Sequence, residues 1–368
     1  MPDTPRPRNA SLPPADPLAT IAFAARMLSF LNGGAAMLMT SIGHRTGLFD
    51  AMADGAALTP AALAARAHLH ERYVREWLGA MTTSGIVVHD ATNGTYTLPA
   101  AHAACLTRAA LPTNIAATAQ WIGVLGSVED RIVDCFRNGG GVGYDAFTRF
   151  HEVMAEESAQ TTVAGLEPHI LPLVDGLVAE LERGIDVLDV GCGRGRALSW
   201  LAQRFPRSRF TGYDLGVDAI ADARTRATRA GLANVTFTAR DVADLDDRAR
   251  FDLVCAFDAI HDQARPADVL AGIARALRPG GTFLMQEIRA SSHVHENVES
   301  PLSPFVYTIS CMHCMTVSLA QGGAGLGAAW GHQLAERMLR DAGFAHITRH
   351  ALPHDILNDY WIARADAG

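Results

Sequence analysis

A glycine-rich turn that follows an apolar run is the part of this sequence best suited to chemistry. The run covers residues 187–190, and the turn after it holds Gly191, Cys192, Gly193 and Gly195. Glycine lets a backbone approach a ligand closely because it has no Cβ. A helix that begins just after the turn presents free N–H groups to a carboxylate or a phosphate. The G-x-G-x-G spacing differs from the G-x-G-x-x-G of nicotinamide enzymes and from a Walker loop.

Three carboxylates stand at the ends of three successive apolar runs. Asp189 lies just before the glycine turn, where it can hold a cationic amino group. Asp214, followed by Leu215, ends the second run and can accept both hydroxyls of a ribose. Asp241, followed by Val242, ends the third run and can accept the exocyclic amine of an adenine. The set fits one elongated ligand with an amino-acid end, a ribose and an adenine, although Asp214 or Asp241 alone can equally be a turn or cap residue.

The alternation of segment types from residue 185 onward predicts the sheet that positions these carboxylates. Short β-rich runs alternate with helical segments, and the runs cover residues 186–190, 209–214, 235–239, 251–256 and 282–288. This alternation predicts βαβ units and a parallel sheet with helices on both faces. The predicted fold class is therefore α/β, with a Rossmann-like sheet.

The front half has a different pattern. Thr59 and Pro60 are typical of a helix N-terminus, and apolar residues at helical spacing predict a helix over residues 71–83. Two short β runs joined at Asn93 and Gly94 predict a hairpin. A series of helices followed by a hairpin is the winged-helix pattern.

These patterns divide the chain into four predicted segments. Residues 1–17 are proline-rich and are predicted to be a disordered tail. Residues 18–110 are predicted to form a winged-helix-like dimerisation domain. Residues 111–184 are predicted to be linking helices that contribute to the active site, and residues 185–368 to form the ligand-binding domain.

Composition excludes several classes of protein. Lys and Arg number 31 against 39 Asp and Glu, so the formal net charge is −8 and nonspecific attraction to nucleic acid is not expected. Six Cys in a chain of 368 residues, without small-domain spacing, indicate reduced thiols and a cytoplasmic protein. The apolar stretch over residues 18–43 has Arg26 in its middle, which favours a buried or interface helix over a membrane span or a signal peptide.

The order of the glycine turn, Asp214 and Asp241 resembles the class I S-adenosylmethionine-dependent methyltransferases. The whole chain from about residue 20 also resembles the dimeric small-molecule O-methyltransferases that carry a winged-helix front half. The resemblance implies S-adenosyl-L-methionine as cofactor, a small-molecule acceptor and a homodimer formed through the N-terminal domain. One departure is that the lysine beside the cofactor in that group is Phe257 here.

The resemblance also implies catalytic residues. In that group a His-Asp pair follows the fourth strand, and His261 with Asp262 stands at this position. An acidic residue after the fifth strand, here Glu287, orients the base. A neutral imidazole with a pKa near ~6.5 can deprotonate a hydroxyl at physiological pH, so methyl transfer to oxygen is predicted. Acceptors that present nitrogen, sulfur or carbon remain open, and His261 can alternatively be a capped-turn histidine.

Acceptor-binding residues are predicted upstream and downstream of the sheet. Phe150, Met154 and Ser158 recur at spacings of four and therefore share one helix face, and the resemblance places them over cofactor and acceptor. His151 can reach the acceptor or face solvent. His313 is predicted to line the acceptor pocket, because the nearby Cys311–Cys314 segment lacks the second Cys/His pair of a structural zinc site, and no metal is predicted.

Two whole-protein alternatives are weaker. A transcription regulator would read DNA with its winged helix, but residues 45–98 hold four Arg against five acidic residues. A nicotinamide oxidoreductase is disfavoured by the glycine spacing.

Overall fold

The structure is a computed structural model that describes residues 16–112 and 114–365. The described residues up to Pro99 form one compact unit and those from Ala100 onward form a second. The predicted N-terminal tail lies outside the described residues except for Asp16 and Pro17, where the first helix begins: an Asp16 carboxylate oxygen accepts a hydrogen bond from the backbone N–H of Leu18 at 3.0 Å.

The first unit is a winged helix, which confirms this part of the predicted fold class. Its elements, in chain order, are α1 (Pro17–Thr46), α2 (Leu48–Ala51), α3 (Pro60–Ala67), α4 (Glu71–Thr83), β1 (Val88–Asp90) and β2 (Thr95–Thr97). Thr59 caps α3 as predicted, because its hydroxyl accepts a hydrogen bond from the N–H of Ala62 at 3.2 Å. β1 and β2 pair antiparallel as the wing.

The core of this unit forms around one aromatic side chain of α4. Trp77 is buried, contacts the ring of Phe49 edge-on at 5.2 Å between centroids, and donates its indole N–H to the carbonyl of Met39 at 2.9 Å. Gly43 of α1 fits against this indole only because it lacks a side chain: a Cβ there would lie 2.6 Å from the Trp77 ring. The C-terminal end of α1 is therefore fixed on α4.

The rest of α1 is exposed, which differs from the burial predicted for residues 18–43. Large apolar side chains, Leu18 and Leu31 among them, lie open on the surface of the unit. By length and composition α1 is the one described helix able to cross a membrane, although core helices and signal sequences pass the same test. Burial of this surface in a partner subunit remains a prediction.

The second unit contains twelve helices among its described residues. They are α5 (Ala100–Leu106), α6 (Ile115–Thr118), α7 (Gln120–Gly126), α8 (Glu129–Asn138), α9 (Phe150–Ser158), α10 (Leu177–Arg183), α11 (Arg196–Arg204), α12 (Val217–Arg229), α13 (Pro266–Ala276), α14 (Ser303–Ile309), α15 (Met315–Ala320) and α16 (His332–Asp341). The chain between α9 and α10, and between α14 and α15, continues in short π-helical turns. Those wider turns are common near functional sites.

A seven-stranded sheet is the centre of this unit. Its strands are β3 (Asp186–Val190), β4 (Arg209–Asp214), β5 (Val235–Ala239), β6 (Phe251–Phe257), β7 (Leu277–Ile288), β8 (Phe344–Ala351) and β9 (Asn358–Ala365), in the order β5-β4-β3-β6-β7-β9-β8. The first five pair in parallel and confirm the Rossmann-like prediction, whereas β9 runs antiparallel to both neighbours. The sequence patterns had not predicted β8 and β9.

Both faces of the sheet are buried, which explains why its strands read as continuous apolar runs. Val187 and Leu253 point into the core on one face, whereas their neighbours Leu188 and Val254 point into the core on the other. Because successive strand residues alternate between faces, each strand anchors helices on both sides. The carboxyl ends of the five parallel strands then meet along one edge of the sheet, where the candidate site lies.

Candidate functional site

The glycine turn between β3 and α11 has a backbone conformation that residues other than glycine seldom adopt. Gly191 and Gly195 both have left-handed φ angles, +74° and +65°. A Cβ on Gly191 would lie 2.5 Å from the Cβ of Ala259, and one on Gly195 would lie 2.5 Å from the ring of Phe237. The turn is therefore fixed by close packing against its neighbours, and α11 begins at Arg196 as predicted.

Asp214 holds this turn against the end of β4. One carboxylate oxygen accepts the backbone N–H of Gly193 at 2.8 Å, and the other accepts the N–H of Gly216 at 2.7 Å. Each carboxylate oxygen has a second lone pair, so the group can still accept hydrogen bonds from a ligand. The side chain thus shapes the turn and faces the space beside it.

Asp189 is a buried carboxyl group with an unsatisfied oxygen. The residue is 2% exposed, and its Oδ1 has no hydrogen-bond partner. Burial, with a smaller contribution from the charge of Asp214, raises the pKa of Asp189 to about 8. A carboxyl group in this state gains most from a cationic ligand that can pair with it.

These groups line a cavity of about 310 Å³, called here the glycine-turn cavity. Its wall includes eight residues that the sequence predicted for the cofactor: Asp189, Gly191, Cys192, Gly193, Asp214, Leu215, Val242 and Phe257. Arg196 also lines it, with a buried Nε that has no hydrogen-bond partner. The cavity therefore offers a carboxyl group and a guanidinium to one ligand.

His261 and Glu287 form a buried pair at the ends of β6 and β7. The Nδ1 of His261 lies 2.5 Å from Oε2 of Glu287. Glu287 is itself held in place, because Oε1 accepts the N–H of Ile260 at 3.0 Å and Oε2 accepts the indole N–H of Trp330 at 3.2 Å. With Nδ1 donating to the carboxylate, Nε2 of His261 is left as the proton acceptor.

The electrostatics of this pair favour a protonated imidazole. Burial by itself lowers the pKa of His261, but the charge of Glu287 and a hydrogen bond with the thiol of Cys314 outweigh it, so the pKa lies well above the usual value. Next to it, burial raises the pKa of Asp262 to about 6, although its carboxylate accepts a hydrogen bond from the hydroxyl of Tyr144. The region thus collects titratable groups whose pKa values differ from their ordinary ones, which is typical of functional sites.

His261 lines a second cavity, of about 400 Å³, called here the His261 cavity. Its wall is formed largely by apolar and aromatic side chains from α6, α7, α9, α14 and the segment before β9. Six residues line both cavities and are called the junction residues: Phe150, Met154, Ser158, Phe257, Asp258 and Asp262. The two cavities are therefore adjacent.

The predicted acceptor residues separate into two groups. Phe150, Met154 and Ser158 share one face of α9 and stand at the junction. His313 lines the His261 cavity and stacks on Phe150 with ring centroids 4.1 Å apart. Burial lowers the pKa of His313 to about 3, so its imidazole is neutral.

Three predicted residues occupy other places. Asp241 does not line the glycine-turn cavity, because one of its oxygens caps the N–H of Ala243 at 2.9 Å and the other lies 3.2 Å from Arg265. Gly195 does not line it either, since it packs against Phe237. His151 lines the glycine-turn cavity and not the His261 cavity.

Four residues of the site had not been singled out from the sequence. Arg196 is the first residue of α11, and its position after the glycine turn was the available signal. Tyr144, Asp258 and Trp330 come from loops and from a segment without periodicity, and only the folded chain brings them to the site.

Two family models match this chain. Residues 34–108 match an Rv2258c-like winged HTH domain, and residues 181–343 match a methyltransferase domain. The second match spans the glycine turn, Asp214, His261 and Glu287. Residues 181–343 are therefore similar to a methyltransferase domain.

Two curated methyltransferases are similar over part of their length. The fatty-acid O-methyltransferase of Mycolicibacterium smegmatis is 39% identical over 113 residues, which are 31% of this chain and 40% of that protein. The trans-aconitate 2-methyltransferase of an Acidovorax species is 34% identical over 100 residues, which are 27% of this chain and 37% of that protein. The chain thus spans about two fifths of the length of these relatives.

Solved structures share the fold over nearly the whole chain. Human N-acetylserotonin methyltransferase, crystallised with S-adenosylmethionine, aligns with a TM-score of 0.67 at 18% identity and covers 93% of this chain and 97% of its own. An O-methyltransferase family protein from Burkholderia thailandensis aligns with a TM-score of 0.65 at 18% identity, over 95% and 98%. The methyltransferase fold with its winged helix is shared with both.

Proposed function

We propose that this protein transfers a methyl group from S-adenosyl-L-methionine to a hydroxyl group of a small molecule, with His261 as the base. The observation that carries the proposal is the arrangement of the two cavities. One contains the glycine turn and the other contains His261, and they share six junction residues. Methyl transfer requires donor and acceptor to meet in line at short distance, and the shared wall of the two cavities supports such a meeting.

The residues of the glycine-turn cavity suit the methyl donor. The unsatisfied oxygen of Asp189 can pair with the ammonium group of its amino-acid end, and Arg196 can pair with the carboxylate of that end. Asp214 retains lone pairs for the ribose hydroxyls. The donor supplies an already activated methyl group, so the protein's own task is to align the acceptor and to remove its proton.

The residues of the His261 cavity suit that task. The Nε2 of His261 accepts the proton of the acceptor hydroxyl, while Nδ1–H remains hydrogen-bonded to Glu287. Glu287 stabilises the imidazolium that results, as the carboxylate of a catalytic triad does. Hydrogen bonds from Ile260 and Trp330 hold the Glu287 carboxylate in place, and the carboxylate then fixes the orientation of the His261 ring.

We also propose that the protein is a cytoplasmic homodimer formed through the N-terminal unit. The exposed apolar side chains of α1 support this, because contact between such side chains and water is unfavourable and a partner subunit would remove it. Gel filtration with light scattering tests it. A monomer at micromolar concentration, or recovery of the protein in the membrane fraction, would contradict it.

Isotope-labelled S-adenosylmethionine tests the methyl transfer itself. We expect the purified protein to bind S-adenosylhomocysteine in calorimetry and to transfer label to members of a panel of phenols and alcohols, read by mass spectrometry. Amines, thiols and carboxylic acids in the same panel serve as controls, and label transferred to these alone would contradict a hydroxyl acceptor. Failure to bind S-adenosylhomocysteine would overturn the methyltransferase proposal altogether.

A further inference from the structure

The carboxyl group of Asp258, at the junction of the two cavities, is not used by the mechanism above. Its Oδ2 accepts the side-chain N–H of Gln286 at 2.8 Å, and its backbone N–H donates to the carbonyl of Gln286 at 3.0 Å. Its other oxygen, Oδ1, is buried and has no hydrogen-bond partner. A buried carboxyl oxygen without a hydrogen bond costs free energy. A ligand that donates a hydrogen bond to this oxygen is therefore bound more tightly.

The backbone of Asp258 supports a functional role. Its φ angle is +52°, in the left-handed region that residues other than glycine seldom adopt. Such strain persists where the surrounding structure holds a side chain in place for function. Here it turns the chain between the end of β6 and His261, so that Asp258 lines both cavities.

The other carboxyl groups of the His261 cavity already have partners. Glu157 accepts hydrogen bonds from the hydroxyl of Thr118 at 2.7 Å and from the indole of Trp121 at 2.6 Å. Asp355 accepts the hydroxyl of Tyr360 at 2.7 Å as well as backbone and amide N–H groups of the residues that follow it. Asp262 accepts the hydroxyl of Tyr144. Asp258 is thus the one among these four described carboxyl groups with an oxygen that has no hydrogen-bond partner.

Apart from His261, the described lining of this cavity has no cationic side chain to attract an anion. No arginine or lysine lines it within the part of the chain that the structure describes. Burial lowers the pKa of His313 and His354, which also line it, and the charge of His261 is balanced by Glu287. A carboxylate placed here would be desolvated beside Asp258 and Asp262 without a partner, which is strongly unfavourable.

We propose that Asp258 determines acceptor specificity: its free oxygen pairs with an O–H or N–H group adjacent to the hydroxyl that is methylated, and the cavity rejects acceptors with a carboxylate there. This inference rests on the proposed function and names its acceptor class. The adjacency follows from position, because Asp258 precedes His261 by three residues and both line the His261 cavity.

Three small rings of similar size form the test: phenol, catechol with a second hydroxyl, and salicylate with a carboxylate. Calorimetry on the protein saturated with S-adenosylhomocysteine measures their dissociation constants. We expect catechol to bind about ten-fold more tightly than phenol, and salicylate more weakly than phenol. Equal binding of the three, tighter binding of salicylate, or no binding of catechol at millimolar concentration would overturn the proposal.

The variant Asp258→Asn sharpens the test, since Asn tolerates a left-handed backbone and replaces the carboxyl group with an amide. The ratio of catechol affinity to salicylate affinity should fall at least about ten-fold, because the amide can donate to a carboxylate. Asp341→Asn, the same change on the exposed end of α16, is the matched control and should leave the ratio unchanged. An unchanged ratio in Asp258→Asn contradicts the assignment.

The affinity for S-adenosylhomocysteine separates this inference from the proposed function. Wild type that does not bind S-adenosylhomocysteine overturns the methyltransferase proposal itself. An Asp258→Asn variant that loses more than about ten-fold in this affinity, while wild type binds normally, reassigns Asp258 to the methyl donor and overturns only the specificity role.

Discussion

The glycine-turn cavity and the His261 cavity meet at the same edge of one sheet, but they are built in different ways. The first contains a continuous turn over residues 191–194 and the tips of neighbouring strands, and α9 and the segment after β6 also contribute to its wall. The second collects side chains between Cys105 and Asn358 from segments that are far apart in the chain. Local backbone geometry therefore shapes much of the first cavity, whereas tertiary packing shapes the second.

The two cavities also use polar atoms differently. In the first, backbone N–H groups fix Asp214, and Asp189 is left with an unsatisfied oxygen. In the second, Glu287 is satisfied by three donors and serves only to hold His261. Substitutions in the first cavity should therefore change donor affinity, and substitutions around His261 should change turnover.

The largest expected effect is that of His261→Ala. Removing the base should lower turnover by roughly 10²–10⁴-fold, because the acceptor hydroxyl is a poor nucleophile until it loses its proton. Affinity for S-adenosylhomocysteine should change less than about twofold, since His261 lines only the second cavity. Single-turnover methyl transfer and calorimetry on the same preparation measure both quantities.

His261→Gln serves as the control for packing, because it fills the cavity without acting as a base. It should be as inactive as the alanine variant. Turnover near the wild-type level in either variant would remove the assigned role of His261 and with it the contrast between the cavities.

The glycine-turn cavity was largely predictable from sequence because its information is local. The strand, the turn and the start of α11 are consecutive, and glycines are needed where φ is positive and a Cβ would clash. Asp189 and Asp214 follow from the rule that ligands bind at the carboxyl ends of parallel strands. Asp241 obeys the same rule but does not line the cavity, because its carboxylate accepts hydrogen bonds from Ala243 and Arg265, which spacing does not show.

The His261 cavity was only partly predictable. The spacing of Phe150, Met154 and Ser158 shows a shared helix face, but not which cavity that face lines. Asp258 reads as a turn residue in the sequence, and its unpaired oxygen becomes visible only once Gln286 of β7 pairs with the other one. Most of the remaining wall comes from loops and π-helical turns, which lack the periodicity on which sequence reasoning depends.

The next effect in size is that of Glu287→Gln. In wild type we expect turnover to rise with pH through a value above ~6.5, because the pKa of His261 is raised and only the neutral imidazole is a base. In the variant, burial still lowers the pKa of His261 but the carboxylate no longer raises it, so the rise in turnover should move to lower pH. Turnover should also fall about 10²-fold, because the imidazole ring loses the group that orients it. The pH profile of kcat decides it, and a rise that stays in place means that Glu287 does not set the pKa.

Asp189→Asn should have a smaller effect, and the effect should be on donor affinity at the glycine-turn cavity. Loss of the charged partner for the donor's ammonium group should weaken S-adenosylmethionine binding about tenfold or more. Wild-type affinity should also weaken as the pH falls below about 8, because Asp189 then takes up a proton that ammonium binding must displace. Calorimetry between pH 6 and pH 8 should show this slope in wild type and a flatter one in the variant; equal slopes contradict the pairing.

The smallest effect is expected for Asp241→Asn. This variant tests whether a carboxylate at a strand tip binds the donor even though it does not line the glycine-turn cavity. Asn still caps the N–H of Ala243, and the exposed ion pair with Arg265 contributes little in water. Affinity for S-adenosylhomocysteine should therefore change less than about twofold, although Asp241 stands at the third strand tip just as Asp214 stands at the second. A loss of tenfold or more, with unfolding temperature unchanged, would mean that the carboxylate leaves Arg265 to bind adenine. The glycine-turn cavity would then be shaped partly by its ligand, and its contrast with the second cavity would weaken.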